Sequence, residues 1–389
     1  MYLDHAATTP LAPQALEAML PHLRDATGNP SSVHAEGRSA RAAVDAARDR
    51  LATVLGCAHR ELVFTGSGSE ADNLALRGVV ERWSGERGRH VVVTSIEHDA
   101  VLETARRLEE LGQIDLTVVD CDQACRVDPD ALAAAIRPDT ALVSLMLVNN
   151  ETGTIQDVAA ASSAVHGRNA NTLVHTDAVQ GLGRVPVEPA ELGVDLLTLS
   201  AHKAYGPKGV GALWIRHGVF LGMQITGGGQ ERNRRSGTEN VPGIVGFAAA
   251  AGLADELRDG ESRRQRALAQ RLIDRVVAAT PDAVVTGDQR HRAPGFASFA
   301  FPGARTDLLL MVLDGMGVAA SGGSACSSGA ATPSHVLLAM GMPPAVAASA
   351  LRCTLGRGTS EADVDSAAAA IGRAVSQVRG VPAAAERSA

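Results

Sequence analysis

The chain has 389 residues, of which 45% are hydrophobic, 20% charged and 3% aromatic, and its formal net charge is -7. This composition is typical of a soluble globular protein of more than one domain and excludes a fibrous or disordered chain. The negative charge argues against nucleic-acid binding, and no apolar run has the length needed to span a bilayer. Because the first ten residues also lack the basic and apolar regions of a signal peptide, we expect a cytoplasmic protein.

The cysteines are five in number and scattered along the chain, which does not predict a disulfide framework. Cys121 and Cys125 are separated by three residues, but no second Cys or His pair lies near them in the sequence. No zinc or other metal site is therefore expected. The remaining cysteines are Cys57, Cys326 and Cys353.

The first two thirds of the chain alternate between short apolar runs and amphipathic segments, after an arm of residues 1–13 that we expect to be loose. Strands are predicted at 61–64, 91–94, 116–119, 141–148, 173–175, 196–199 and 211–215. Helices are predicted at 14–22, 35–55, 69–83, 100–111, 132–136 and 158–166. This alternation predicts a mostly parallel sheet covered by helices on both faces, with ligands at the carboxyl ends of its strands.

The last third of the chain predicts a smaller α+β unit. Two long helices, 244–257 and 265–279, are expected to be joined by a charged, exposed link between domains. Strands at 283–286 and 296–301 follow, with helices at 306–316, 334–340 and 361–378. We predict an α/β protein with a large domain of residues 14–257 and a small domain of residues 1–13 and 258–389.

A lysine follows the predicted strand 196–199, in the sequence Ser200-Ala-His-Lys203, and glycines come directly after it. A lysine desolvated at the end of a buried strand is favoured as a neutral amine, which can form a Schiff base with a carbonyl. Taken alone, Lys203 also fits a solvated hairpin. The surrounding motifs decide between these interpretations.

Two further strand ends carry groups suited to one charged, planar ligand. The segment Thr65–Asn73 joins a strand to a helix through glycines, and its Gly68 and Ser69 suit a phosphate group at the helix N-terminus. It is neither a Walker A motif nor a dinucleotide fingerprint. Asp177 follows the strand 173–175, where a carboxylate could pair with a protonated pyridine nitrogen. A capped turn and an ordinary loop acid are the alternatives.

Other polar residues have weaker individual signals. His98 lies at a strand end before a helix, where it could stack on a flat cofactor and move protons or simply cap the helix. Asn149 and Asn150 follow a very apolar strand and suit a small polar ligand or a simple turn. Arg352 suits a substrate carboxylate or a surface ion pair.

The last two motifs are loops. The basic loop 227–240, with Thr238, is either solvated or reaches an anionic ligand across a dimer interface. Cys326 lies in a Gly/Ser-rich loop, 321–329, with few apolar residues next to it in the sequence. This argues against a thiol that is buried in a hydrophobic core. A mobile loop would let its thiolate travel between sites and act as a nucleophile.

Together these motifs resemble the cysteine desulfurases of the NifS and IscS kind, which are fold-type I pyridoxal-phosphate (PLP) enzymes of the aminotransferase class V kind. The resemblance runs from Tyr2 to Arg357. It implies that L-cysteine is converted to L-alanine while sulfur passes to an enzyme persulfide and then to an acceptor. It also implies a homodimer and a partner protein that accepts the sulfur.

The resemblance implies a role for each matching residue. Lys203 would hold PLP covalently and move protons, Asp177 would pair with the pyridine nitrogen, and His98 would stack on the ring. Gln180 would bond the phenolic oxygen of PLP. The phosphate would be held by Gly68, Ser69, Ser200 and His202, together with Thr238 of the partner subunit. Asn150 and Arg352 would hold the substrate carboxylate, and Cys326 would attack the substrate sulfur.

Two other functions fit the same motifs. A selenocysteine lyase of this fold is the alternative enzyme, although a short, rigid cysteine loop would favour it more than the loop present. A non-catalytic sulfur-relay scaffold is the alternative from another class, and the presence of both Lys203 and Cys326 argues against it. The acceptor stays open among iron-sulfur cluster assembly, tRNA thiolation, cofactor biosynthesis and DNA sulfur modification.

Overall fold

The computed structural model describes residues 1–83, 88–323 and 333–380. The helices are α1 (Pro13–Arg24), α2 (Ala35–Leu55), α3 (Gly68–Trp83), α4 (Asp99–Glu110), α5 (Pro129–Ala134), α6 (Val158–Arg168), α7 (Pro189–Leu192), α8 (Gln230–Asn233, a single left-handed turn), α9 (Val241–Ala279), α10 (Thr306–Gly315), α11 (His335–Ala339), α12 (Pro344–Ala347) and α13 (Glu361–Arg379). No helix in these ranges combines the length and apolar character needed to cross a membrane.

The strands form two sheets. They are β1 (Leu62–Thr65), β2 (His90–Thr94), β3 (Asp115–Val119), β4 (Thr140–Ser144), β5 (Leu173–Asp177), β6 (Leu196–Ser200), β7 (Gly211–Ile215), β8 (Val284–Val285), β9 (Phe296–Ala300) and β10 (Ala350–Thr354). The large sheet has the order β1-β7-β6-β5-β4-β2-β3, and the small one β10-β9-β8.

The large sheet is parallel except for β7, which runs antiparallel to both of its neighbours, β1 and β6. Every residue of β2, β4, β5, β6 and β7 is buried, as expected for strands covered on both faces. One face packs on α2, α5, α6 and the first half of α9, and the other on α3 and α4. The predicted sheet covered by helices is confirmed, and the carboxyl ends of β1, β6, β5, β4 and β2 meet at one edge.

The small antiparallel sheet has its own hydrophobic cluster, to which the second half of α9, α10 and α13 contribute. The predicted exposed link between two helices is wrong, because α9 continues without a break for 39 residues. Its charged middle lies along a solvated face and is supported by ion pairs one turn apart, Asp255–Arg258 and Glu261–Arg264. The predicted division into two domains stays a prediction, and its boundary at residue 257 falls inside this helix.

The amino-terminal arm is not loose, in contrast to its prediction. Leu3 is fully buried in the hydrophobic cluster of the small sheet. The arm's backbone forms single bridges from Tyr2 to Ala319 and from Asp4 to Thr354. Long-range backbone pairing therefore orders a segment whose own sequence has no helical or strand periodicity. The arm then continues to the edge of the large sheet where the strands end.

Candidate active site

A cavity of about 260 Å³ opens at the carboxyl edge of the large sheet. Loops that follow β1, β2, β4, β5 and β6 surround it, together with the amino-terminal arm and β10. The predicted site residues that line it are Gly68, Ser69, His98, Asn150, Asp177, Gln180, Ser200, His202, Lys203 and Arg352. The fold thus brings together side chains that are up to 284 positions apart in the chain.

Among the described site predictions, Thr238 is not part of this cavity lining. Thr238 lines a separate, smaller cavity with Glu231 and Arg235, on the loop that precedes α9. The predicted role of Thr238 in a partner subunit's site stays a prediction. Cys326 lies outside the described residues, and its predicted role stays a prediction.

One end of the cavity is rich in hydroxyl and N–H donors. Helix α3 begins there at Gly68, with Ser67 Oγ accepting the backbone N–H of Glu70 at 3.0 Å. Ser69 and Ser200 line the same space. Strand β7 passes so close beneath that a Cβ added to Gly211 would lie 2.6 Å from the Ser67 carbonyl carbon. An anion such as a phosphate group fits this end, because the N-terminus of a helix is electropositive.

His202 adds a neutral ring to this end of the cavity. Its Nδ1 lies 3.1 Å from Thr8 Oγ1 in the amino-terminal arm. Burial, helped by the positive charges of Lys203 and Lys208, lowers the pKa of His202 to about 4. The ring is therefore uncharged at neutral pH and can offer a hydrogen bond rather than a full charge.

Buried carboxyl groups mark the floor of the cavity. Asp177 accepts a hydrogen bond from the Val179 backbone N–H at 2.8 Å, and burial raises its pKa against the opposing effect of His98 and Lys203. Asp72 lies beside it in α3, and burial together with the Asp177 charge raises the pKa of Asp72 well above its ordinary value. One Asp72 carboxyl oxygen, Oδ1, is buried with no hydrogen-bond partner in the described structure. A cationic ligand group would offset the cost of burying these carboxyl groups.

Lys203 ends a short 3-10 turn that follows β6. Its Nζ donates hydrogen bonds to the backbone carbonyls of Ala6 and Ala7, at 2.6 and 2.8 Å. Gln180 Nε2 donates to the same Ala6 carbonyl at 2.9 Å. The arm therefore supplies part of the active-site wall. The sequence analysis did not predict this contribution of the arm.

His98 and the loop after β4 form the opposite wall. His98 Nδ1 accepts the backbone N–H of Ala100 at 3.1 Å as the N-cap of α4, which fixes the ring and leaves the proton of the neutral form on Nε2. Asn149 is fully buried, and its Oδ1 accepts the backbone N–H groups of Glu151 and Thr152 at 3.0 and 2.9 Å. Asn149 therefore shapes the turn, while its neighbour Asn150 faces the cavity.

Arg352 is a buried residue of β10 rather than part of a surface ion pair, and only 3% of its side chain is exposed. Its Nη1 donates to the backbone carbonyl of Asn150 at 2.8 Å, and its Nη2 lies 2.8 Å from Asp4 Oδ1. The cavity lining also includes Glu151, whose carboxylate accepts a hydrogen bond from Ser334 Oγ. The sequence analysis did not predict that Glu151 and Asp72 line the cavity. Asp72 lies one helical turn after Ser69, so its place on the same helix face could have been predicted from the helical period.

Comparisons with known proteins show the family of this chain. Residues 1–366 match the model of the family described as aminotransferase class-V. The chain is 42% identical to the cysteine desulfurase IscS of Dictyoglomus turgidum over 379 residues, 97% of this chain and 95% of that protein. A solved NifS-like protein is 37% identical, with a TM-score of 0.91 and coverage of 97% and 99%. The structure titled SspA in complex with cysteine is 34% identical, with a TM-score of 0.80 and coverage of 91% and 98%.

The chain belongs to the aminotransferase class-V family. Within that family it groups with the cysteine desulfurases of the IscS and NifS kind. The predicted resemblance, fold type and enzyme class are confirmed.

Proposed function

We propose that this cavity binds PLP and L-cysteine, and that the chain releases L-alanine while the sulfur passes to Cys326 and then to an acceptor. The observation that carries the proposal is the meeting of a donor-rich anion site, a buried carboxylate and Lys203 in one cavity. These groups match the phosphate, the pyridine nitrogen and the aldehyde of PLP. Arg352 adds a place for the substrate carboxylate.

The residues present fit PLP by their chemistry. The hydroxyls of Ser69 and Ser200, with the N-terminus of α3, would hold its phosphate. Asp177 would keep the ring nitrogen protonated, which offsets the cost of the carboxylate's burial, and Gln180 would bond the phenolic oxygen. When bound, PLP supplies an electron sink that weakens bonds at the carbon carrying the substrate amino group.

Lys203 would hold the cofactor covalently and would then move protons. Its Nζ donates hydrogen bonds to the backbone carbonyls of Ala6 and Ala7, two residues that line the cavity. The carbonyls therefore orient the amine towards the cavity. His98, whose ring is held by its capping bond to Ala100, would stack on the cofactor ring and move protons.

Substrate binding and sulfur transfer complete the proposal. Arg352 and Asn150 hold the carboxylate of L-cysteine, because a guanidinium matches a carboxylate in shape and charge. The Cys326 thiolate would attack the substrate sulfur and form an S–S bond to the enzyme. The bond between that sulfur and its carbon would break, and its electron pair would stay on the carbon, which gains a proton to become the methyl group of L-alanine. A thiol-bearing acceptor protein then takes the sulfur from the persulfide.

The quaternary and cellular parts of the proposal rest on the same site. We expect a homodimer in which Thr238 of one subunit completes the phosphate site of the other, since Thr238 lies apart from the cavity of its own subunit. We expect the enzyme in the cytoplasm, with a sulfur-acceptor protein as its partner.

The proposal is tested by measuring alanine and persulfide formation from L-cysteine with the PLP-loaded enzyme. Lys203→Ala should lose the visible absorbance of covalently bound PLP and all turnover. Cys326→Ser should keep that absorbance but form no persulfide, whereas Cys57→Ser, which removes a thiol outside the cavity lining, should behave as wild type. Wild-type rates in Cys326→Ser would reject the assigned nucleophile. Turnover of selenocysteine but not cysteine would favour the lyase.

A further inference from the structure

The proposed substrate-binding arginine already has a counter-ion in the amino-terminal arm. Arg352 Nη2 lies 2.8 Å from Asp4 Oδ1, while Nη1 donates to the neutral carbonyls of Asn150 and Gly323 at 2.8 and 3.2 Å. Asp4 is the acid at ion-pair distance from Arg352 in the described part of the chain. The Arg352 guanidinium is thus already paired with the Asp4 carboxylate, although its proposed ligand is the carboxylate of the substrate.

The guanidinium keeps unused donors. Of its five N–H groups, the three hydrogen bonds above use both on Nη1 and one on Nη2. Nε is buried and has no hydrogen-bond partner among the described residues. Because a buried donor without an acceptor costs free energy, Nε and the remaining N–H of Nη2 suit an incoming carboxylate. Arg352 and Lys203 line the same cavity, so a ligand bound there would supply this carboxylate.

The two members of the ion pair differ in their access to water. The Asp4 side chain is 20% exposed, whereas that of Arg352 is 3% exposed. Asp4 can therefore be partly hydrated when a ligand shares Arg352, but Arg352 depends on protein or ligand groups for its charge balance. Glu151, a buried acid in the same cavity lining, has its pKa raised by burial and accepts a hydrogen bond from Ser334 Oγ, which makes it a weaker counter-ion than Asp4.

We propose that Asp4 is a positioning residue: it acts as an internal counter-ion that holds Arg352 in place without substrate and lowers the affinity of Arg352 for substrate and product carboxylates. Two carboxylates on one guanidinium repel each other, so a ligand binds less tightly than it would to Arg352 alone. The product L-alanine still carries its carboxylate, and weaker binding of that carboxylate to Arg352 favours product release. This inference rests on the proposed function, because it takes the ligand carboxylate to be that of cysteine or alanine.

The test compares Asp4→Asn with wild type in the PLP-loaded enzyme. Asparagine keeps the size and the Oδ1 acceptor but removes the charge. L-Alanine and ethylamine, which is alanine without its carboxylate, are titrated while the absorbance of bound PLP is followed. We expect the Kd for alanine to fall about tenfold, the scale of one charge-assisted interaction, and the Kd for ethylamine to stay within about twofold. The KM for L-cysteine should fall in parallel, with no rise in kcat.

Two further variants keep the test decisive. Asp4→Glu retains the charge and should retain wild-type alanine affinity, so it separates charge from packing. Asp130→Asn removes an exposed acid in α5 and should change neither Kd. The proposal is overturned if Asp4→Asn binds alanine no more tightly than wild type, or if ethylamine gains as much as alanine. Absence of alanine formation by wild type would instead reject the proposed function, and the alanine titration would still test Asp4.

Discussion

A buried ion pair holds the loop that carries Thr238. Arg48 and Glu231 each have 3% of their side chains exposed, and their two hydrogen bonds measure 2.9 and 2.7 Å. Glu231 also accepts the Phe64 backbone N–H at 3.0 Å. Its backbone has a φ of 49°, and the next two residues are left-handed as well, which costs about 1–2 kcal/mol per residue. The ion pair must offset this strain.

We expect Glu231→Gln to destabilise the protein by about 3–5 kcal/mol. The substitution keeps the shape of the side chain but leaves the Arg48 cation buried without a counter-charge, and breaking such pairs has costs of this size. Replacing both partners, in Arg48→Met with Glu231→Met, removes the uncompensated charge. The double variant should therefore lose less free energy of unfolding than the sum of the two single losses.

The measurement is denaturant-induced unfolding of Glu231→Gln and of the four proteins of the cycle, which are wild type, Arg48→Met, Glu231→Met and the double variant. The matched control is Glu103→Gln, which breaks the exposed pair Glu103–Arg106, whose side chains are 61% and 52% exposed; it should change stability by less than about 0.5 kcal/mol. A loss below about 1 kcal/mol in Glu231→Gln would refute the view that this pair anchors the loop.

Three other predictions concern stability and the cofactor site. Burial lowers the pKa of His175 from 6.5 to about 3. Between these two pH values His175 is protonated in the unfolded state but neutral in the folded state. Unfolding free energy should fall by up to about 1.4 kcal/mol per unit as pH drops from 6.5 towards 3, and His175→Gln should flatten this slope; an unchanged slope would contradict the assignment. Gly211→Ala should displace Ser67, because the new Cβ would lie too close to its backbone. We expect a loss of about 1–3 kcal/mol in the free energy of unfolding and weaker PLP binding in a fluorescence titration. Gly315→Ala, which has open space at its Cβ, should show neither effect. Leu3→Ala should cost about 2–5 kcal/mol in thermal unfolding, and a smaller loss would mean that the arm is not anchored there.

The residues that follow apolar strands could be predicted from the sequence, because a buried strand ends where polar and glycine residues begin. Asp177 and Lys203 lie shortly after the strands predicted at 173–175 and 196–199, and the structure places both at the same sheet edge. Parallel strands align their carboxyl ends, so the meeting of these groups follows from the strand-helix alternation.

Predictions made from local sequence patterns were wrong in two segments whose conformation depends on contacts with distant parts of the chain. The charged stretch inside α9 has the composition of a link, yet good helix formers and ion pairs one turn apart keep it helical between two cores. The arm has no periodicity, and its order comes from the buried Leu3 and from pairing with residues more than 300 positions away.

The sequence by itself determined the class of fold, the family resemblance and most of the residues at the strand ends, because each depends on local hydrophobic periodicity or on a short motif. Only the tertiary structure decided that Ala6 and Ala7 hold Lys203, that Asp4 pairs with Arg352, and that Asp72 lies beside Asp177. These contacts join segments whose spacing along the chain carries no signal, since burial and charge pairing act through space rather than along the sequence.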